Sequence, residues 1–291
     1  MISIALSGGL GNQMFEYAFI YAQHKQLGKP FFITKTGGTI ILYKYFKLDR
    51  NKFYWVDRFI FDHEGFKLFF SHYLRNAFYN GIGKSLKKHQ VIADNWNDPN
   101  EVLTGVKSPA EYYGYFQSEK YFAGKANLDD IFEIRPKYVK VYNEKFAWLK
   151  KYKTVVAVHV RRTDYANALG HLNLGGDNLI LPLTYYHNTI SKIHSDENFY
   201  VFISDDIKGT ASAFSYLNNT YFSAENEIID FQLMLNAHTC IIANSTFSWW
   251  AAYLNSQKNK VVYCPEHFLG FLKGTDYPVD IYPPEWIKIT V

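Results

Sequence analysis

The sequence predicts an α/β protein of two domains, each built on a doubly wound parallel sheet. Three observations predict it. The chain has 291 residues, more than the roughly 100–150 of one typical domain. Short apolar runs alternate with helix-length amphipathic stretches, most cleanly after residue 150. Apolar runs also end repeatedly in polar or glycine-rich loops, at residues 7–12, 159–164, 204–206 and 244–248. Ligands of open α/β sheets collect beyond such strand ends.

The first domain is assigned to residues 1–150. Residues 2–6 read as a strand, Ser7-Gly8-Gly9-Leu10-Gly11 as a glycine loop, and 12–27 as a helix closed by Gly28-Lys29-Pro30. Residues 31–34 then complete a βαβ unit. From Tyr43 to Asn100 the periodicity is poor, with aromatic clusters and short helical stretches, and this part is assigned as an irregular, helical insertion. Residues 112–116 read as a strand, a helix opens near Ser118 and Glu119, and a helical stretch from Pro136 to Lys151 borders the two domains. In the second domain, residues 151–291, the β-branched run 154–160 is the pattern of a strand buried on both faces. Helices over 184–194, 207–216 and 227–237 alternate with strands over 199–203, 239–243 and 260–263, and a further helix begins within 245–250.

Composition excludes several classes of function. No tract reaches the roughly 18 uninterrupted apolar residues of a membrane span. Met1-Ile2-Ser3-Ile4-Ala5-Leu6 runs straight into the glycine turn without a basic leader, so a cytoplasmic location is expected. Cys240 and Cys264 lie in apolar, strand-like surroundings and read as core residues of a reducing compartment, neither a disulfide framework nor a zinc site. The net charge of +4 is spread along the chain rather than gathered into the stripe that nucleic acid attracts. Two lysine clusters, over 84–89 and 145–153, are either solvated faces or contacts with an anionic membrane surface. The 24 Tyr, 24 Phe and 6 Trp supply core and also planes on which sugar rings stack.

The chemistry concentrates in the loops. In His159-Val160-Arg161-Arg162-Thr163-Asp164, two guanidiniums follow a buried strand, and each offers a rigid fork of donors matched to phosphate oxygens. A doubly anionic group such as a diphosphate suits them; a structural pairing of Arg161 and Arg162 with Asp164 is the alternative. Gly9 and Gly11 let backbone amides approach a ligand at a helix N-terminus, with Asn12 behind them. The loop lacks the spacing of a dinucleotide fingerprint and the lysine of a P-loop, which counts against hydride transfer and simple nucleotide hydrolysis. Asn244, Ser245, Thr246, Phe247 and Ser248 bring hydroxyls and amides to the start of a helix, for phosphate oxygens or merely as a cap. Asp205 and Asp206 either cap their own helix, accept from a base or ribose, or bind a divalent metal; an adjacent pair supplies few ligands, so metal ranks last. Asp230 either accepts from a purine N1 and N2 or is an exposed helix carboxylate.

Five stretches, taken in order, resemble one family: residues 6–18 (Leu-Ser-Gly-Gly-Leu-Gly-Asn-Gln-Met-Phe-Glu-Tyr-Ala), 114–122, 159–164, 203–206 and 241–250. It is the bacterial α-1,2-fucosyltransferases, glycosyltransferase family 11. The Arg-Arg-Thr-Asp segment is also similar to that of core α-1,6-fucosyltransferases, and Ser-Thr-Phe to that of protein O-fucosyltransferases. The resemblance implies a GT-B fold, two Rossmann-like domains facing across a cleft, the first on the acceptor side and the second binding the GDP-sugar. It implies inverting, metal-independent transfer of L-fucose from GDP-β-L-fucose, the donor substrate, to the 2-hydroxyl of a terminal galactose, with no cofactor. By that analogy Arg161 binds the β-phosphate and stabilises the leaving charge, while His159 and Arg162 shape the site. Ser245, Thr246 and Ser248 contact the diphosphate, Asp230 reads guanine, and Asn12 reaches the donor from the first domain. Gly9, Gly11, Asp205, Asp206, Asn244 and Phe247 complete the expected donor set.

The general base is the open position. Where the α-1,6 enzymes carry a glutamate this chain has Leu169, followed by Gly170 and His171. A loose, oxocarbenium-like transition state needs only late proton removal, so Asp164, Asp177 or solvent serves, with Asp164 ranked first. The resemblance further implies a galactose-terminated, lipid-linked oligosaccharide of the bacterial cell surface as acceptor, reached from the inner face of the membrane by a cytoplasmic or peripheral protein. Its binding surface is expected from residues 43–121. Two rivals stay open: a glycosyltransferase of this fold using another nucleotide sugar, and a non-catalytic glycan-binding protein.

Overall fold

The computed structural model describes residues 1–34, 40–48, 81, 90–93, 96–166 and 170–291. The chain divides into two compact units, Met1–Arg135 and Pro136–Val291. Most of the expected irregular stretch 43–100, and Leu169, lie outside the described residues. Described parts of that stretch include the helices Leu42–Tyr45 and Pro99–Thr104 and a short strand.

The first unit carries a parallel sheet of β1 (Ile2–Ala5), β2 (Phe31–Thr34), β3 (Gln90–Ile92) and β4 (Ala110–Tyr113), in the order β2-β1-β4-β3. Helix Leu10–Leu27 follows β1 and is buried along most of its length. Its rings interlock with the surrounding aromatics: Phe19 stacks on Phe116 at 3.8 Å between centroids and Tyr17 meets Phe31 edge-on at 5.6 Å. It ends at Gly28, whose left-handed φ of 62° closes the helix as a side chain there would not without strain. β4 stops at Tyr113, short of the expected Phe116. The reason is Gly114, at φ 130°, where a Cβ would stand 1.8 Å from the Ala93 carbonyl oxygen, so the chain turns away.

The second unit carries β5 (Thr154–Val160), β6 (Asn198–Ser204), β7 (Thr220–Phe222), β8 (Thr239–Ile241), β9 (Val261–Pro265) and β10 (Ile287–Ile289). All pair in parallel, in the order β10-β9-β8-β5-β6-β7. On β5, Val156, Val158 and Val160 pack with Tyr185, Tyr186, Phe202 and Ile241, while Val155 and Ala157 are buried on the other face. Burial on both sides explains the unbroken apolar run. Helices Leu183–Ile193, Ile207–Ala213, Glu227–Leu235 and Thr246–Tyr253 form the connections. Lys260 closes the last of these by donating to the carbonyls of Ala252 (2.9 Å), Tyr253 (2.9 Å) and Asn255 (2.6 Å).

Helix Pro136–Phe146 and the 3-10 turn Ala147–Lys151 lie in this second unit, so the segment 136–150 changes sides relative to the sequence expectation. Its contacts give the reason: Gln232 Nε2 donates to the Tyr138 carbonyl (3.3 Å) and Lys145 pairs with Glu225 (2.6 Å). The chain passes from β5 outward through β6 and β7, then returns to β8 on the other flank of β5. The crevice beyond the ends of β5 and β8 is therefore the switch point where ligands of such sheets bind. In the first unit the same reversal lies between β1 and β4. Among the described residues no helix is long and apolar enough to cross a membrane. Cys240 and Cys264 are buried, as expected of core residues, and burial pushes both thiols up to about 12.

Candidate functional site

The first residues after β5, 161–164, are held by a set of hydrogen bonds and ion pairs. Arg161 directs Nε at Asp164 Oδ1 (2.7 Å) and Nη2 at Asp164 Oδ2, a two-pronged charge-assisted pair. Asp205, at the end of β6, stands 3.4 Å from Arg161 Nε. It also accepts from the backbone amides of Arg162 (2.9 Å) and Thr163 (3.0 Å) and from the Thr163 hydroxyl (2.6 Å). Partial burial works against both charges. Even so, Asp164 and Asp205 hold the Arg161 guanidinium above its ordinary value, and the hydrogen bonds from Thr163 and Arg162 hold Asp205 below its own. Asp206 does what an N-cap does, accepting from the Gly209 amide at 3.0 Å, and lies 3.9 Å from Arg162 Nε. The two aspartates thus divide their work: Asp205 clamps the arginine loop, and Asp206 caps the helix and faces Arg162.

His159, on β5 two residues before Arg161, is buried. Burial first, then the Arg161 charge, lowers its pKa to about 3, so the ring is neutral at any physiological pH. Its ring lies 5.6 Å from that of Phe247, which also meets Phe231 edge-on at 5.7 Å. Asn244 is buried and donates through Nδ2 to the Leu179 carbonyl (2.9 Å), tying the loop after β8 to the segment following β5. His159 Nδ1 and Asn244 Oδ1 are both buried with no hydrogen-bond partner among the described residues. Native structures rarely leave such atoms unpaired; seven other buried atoms among the described residues share that state, and these two are the ones at the end of β5 and in the loop beyond β8. Ser245 occupies the N-cap position of the following helix, yet its side chain makes no capping hydrogen bond. Thr246 opens that helix and is half-buried. Ser248 sits in the core, its hydroxyl donating to the carbonyl of Ser245 at 3.1 Å.

Asp230 is not an exposed helix carboxylate. It is half-buried on helix Glu227–Leu235 and accepts from the Ser223 hydroxyl. Burial, reinforced by nearby Glu225 and opposed by the Ser223 hydrogen bond, pushes its pKa up to about 7.

In the first unit the glycine loop sits at the β1–β4 switch point. Gly8 has φ +70°, and a Cβ on it would stand 2.5 Å from Asn12 Nδ2. Gly9 takes the N-cap position with open space around it, and Gly11 is buried in the first turn. Asn12 accepts from Gln117 Nε2 at 3.0 Å, which joins the loop after β1 to the loop after β4. Two residues beneath the loop are missed by sequence reasoning. Glu16, fully buried, accepts from the Ser7 amide (2.8 Å) and hydroxyl (2.7 Å), and burial holds its pKa well above the ordinary carboxylate range. Gln13 donates to the Gly8 carbonyl (3.1 Å) and accepts from the Ile41 amide (2.8 Å). Their only signal was membership of the 6–18 motif.

The family model of glycosyl transferase family 11 matches residues 86–290, which include nearly all of the second unit. The chain belongs to this family. As a family 11 glycosyltransferase it is similar to two Escherichia coli proteins at 28% identity. One, an alpha-1,2-colitosyltransferase, aligns over 98% of this chain and 97% of its own length. The other, the O-antigen biosynthesis glycosyltransferase WbnK, aligns over 98% and 99%. A putative galactoside 2-alpha-L-fucosyltransferase of Caenorhabditis elegans is 25% identical, over 60% of this chain and 51% of its own. Among solved structures the fold is shared with the fucosyltransferase NodZ from Bradyrhizobium, with a TM-score of 0.50 and 13% identity over 87% of this chain and 92% of that one. The paired parallel sheets are those of the GT-B fold.

Proposed function

We propose that this glycosyltransferase is an inverting α-1,2-fucosyltransferase that moves L-fucose from GDP-β-L-fucose to the 2-hydroxyl of a terminal galactose on a cell-surface oligosaccharide. One observation carries the reading: the Arg161 fork stands at the switch point of the second unit, paired with a carboxylate, Asp164, that an incoming diphosphate can displace. The relatives' names, an α-1,2-transferase and an O-antigen enzyme, support the linkage and the glycan acceptor.

In this reading the β-phosphate takes the place of Asp164 on Nε and Nη2, while the backbone-anchored Asp205 keeps the guanidinium oriented. Arg162, Ser245 and Thr246 meet the remaining diphosphate oxygens, and Gly9, Gly11 and Asn12 are read as donor-binding residues. Neutral His159 and Asn244 use their buried, unpaired atoms on the ligand, with Phe247 holding His159 in place. Asp230 accepts from guanine N1–H and N2–H in its ionised form. Ser248 and Asp206 support the helices behind them. The acceptor oxygen bonds to the anomeric carbon from the face opposite the phosphate, so β becomes α. The carbon–oxygen bond to the β-phosphate breaks with its electron pair leaving on GDP, where Arg161 meets the new charge. The acceptor proton passes to Asp164, released by the same exchange, with Asp177 or solvent as the alternatives. Two arginines neutralise the diphosphate, so the scheme needs no metal. The acceptor is read as lipid-linked, met by a cytoplasmic protein at the inner membrane face.

A second reading comes from the colitosyltransferase relative. Colitose is 3-deoxy-L-fucose, so a colitosyl donor presents the same ring less one hydroxyl. Thermal unfolding with a panel of nucleotides tests the nucleotide, and turnover with the GDP-activated form of each sugar tests the sugar. GDP selectively raises Tm in the wild type and loses that effect in Arg161→Ala. Equal stabilisation by UDP, or turnover with colitose alone, contradicts the GDP-fucose assignment.

A further inference from the structure

The lysine-rich segment 145–153 has no part in the donor site, and it borders a cavity of about 340 Å³ in the second unit. That volume falls within the roughly 300–1,000 Å³ range of small-molecule sites. The cavity opens where β5 and β8 begin, beside Val155 and His238, whereas Arg161 follows the other end of β5. A strand of seven residues at about 3.3 Å each separates the two by about 20 Å. It is not the donor site.

The chemistry of the walls selects among ligands. Tyr142, Phe146 and Leu149 form an aromatic and aliphatic floor. Asn143, Asn236 and Gln257 also line it; Asn236 Nδ2 already donates to the Gln232 carbonyl (2.8 Å) and Gln257 Nε2 to the Asn236 carbonyl (3.3 Å), so these two offer their amide oxygens as acceptors. His238 accepts the Val155 amide on Nδ1 at 3.0 Å, so the neutral ring carries its proton on Nε2 and is a fixed donor there. Lys150 is the single cation, and the described lining holds no carboxylate. A phosphate group asks for several donors of one kind, preferably at a helix N-terminus. Here the two α-helices that contribute to the cavity, Pro136–Phe146 and Glu227–Leu235, both do so near their C-terminal ends, where the carbonyl side is partially negative. Donors on His238, Lys150 and Asn143 and acceptors on the amide oxygens, beside aromatic side chains, match a pyranose instead: its hydroxyls both donate and accept, and its C–H face packs on a ring.

We infer that this cavity is a second carbohydrate site, which holds one or two sugar rings of a glycan chain about 20 Å from the transfer site. The inference does not depend on the identity of the donor sugar. Trp148 reports on the site, because its ring lies 6.4 Å from that of Phe146 and 6.2 Å from that of Tyr152, which also line the cavity. The test uses full-length protein labelled with 5-fluorotryptophan, its Trp148 fluorine signal assigned with Trp148→Phe. GDP is saturating, and lactose, N-acetyllactosamine and inorganic phosphate are added in turn. The Trp148 signal should shift saturably with a sugar and not with phosphate. Ala147→Phe, which fills the cavity from its rim without removing any group, should weaken that response at least tenfold while thermal stabilisation by GDP and turnover of lactose stay unchanged. No shift with either sugar, a shift with phosphate alone, or an equal response in Ala147→Phe overturns the inference. Loss of fucosyl transfer with the Trp148 response intact counts only against the donor assignment.

Discussion

At the scale of single residues, the proposed function rests on charges that change partners. Arg161 is paired with Asp164, so on the proposed reading a diphosphate takes Arg161 by displacing that carboxylate. Asp164→Asn removes the competing charge, and it should bind GDP more tightly than the wild type while turning over at least tenfold more slowly. Calorimetry for Kd and steady-state rates for kcat separate the two effects; unchanged values of both would leave Asp164 a bystander. Asp230 makes a second prediction. Its pKa is raised from an ordinary 3.8 to about 7, so the stability it contributes is full below the ordinary value and is lost as pH rises through about 7. The proposed recognition of guanine runs the opposite way, since only the ionised carboxylate accepts two N–H donors. GDP should therefore bind several-fold more tightly at about pH 8 than at about pH 6. In Asp230→Asn both slopes should flatten, the protein gaining relative stability at the alkaline end and losing affinity. A pH-independent GDP affinity in the wild type would show that this carboxylate does not touch the base.

At the scale of elements, function depends on loops fixed from beneath. The turn after β1 has no room for a side chain at Gly8, because Asn12 Nδ2 occupies the space and the backbone is left-handed. Gly8→Ala should displace Asn12 and lower kcat/KM at least tenfold with a Tm loss of only a few degrees. Gly9→Ala, which meets open space, should be close to neutral, and equal effects from the two would contradict this geometry. Lys260 bears on stability alone: its ammonium satisfies the last carbonyls of helix Thr246–Tyr253, and burial already lowers its pKa. Lys260→Met should cost about 1–3 kcal/mol in denaturant unfolding, with GDP affinity retained. Sequence periodicity reveals long elements of this kind and misses β3, β7 and β10, since edge strands of three residues are too short to show a pattern. It also overruns β4, because nothing in the residues 112–116 announces that Gly114 lies against Ala93.

At the scale of the whole molecule, the two parallel sheets and the polar loops at their strand ends were legible from alternation and loop chemistry. The reason is physical: parallel strands buried on both faces leave unbroken apolar runs, and the loop after each run lies at the ligand edge. The division of labour within a loop was not legible. Adjacent aspartates look alike in sequence, and only tertiary contacts give Asp205 to the arginine loop and Asp206 to a cap. Glu16 and Gln13 were hidden for the same reason, since a buried polar residue in an apolar helix declares no partner. The segment 136–150 passed to the second unit through a side-chain contact, Gln232 to the Tyr138 carbonyl, that periodicity does not encode. The central claim joins these scales: Arg161 stabilises the diphosphate leaving group of a fucosyl donor. The most direct measurement is linkage analysis of the product formed from GDP-β-L-fucose and lactose, with Arg161→Ala in parallel. The wild type should give an α-1,2-fucosylated galactose, and the variant a rate about 10²–10³ lower, about 3–4 kcal/mol of lost transition-state stabilisation. A different linkage, or a variant that turns over at the wild-type rate, would contradict the claim.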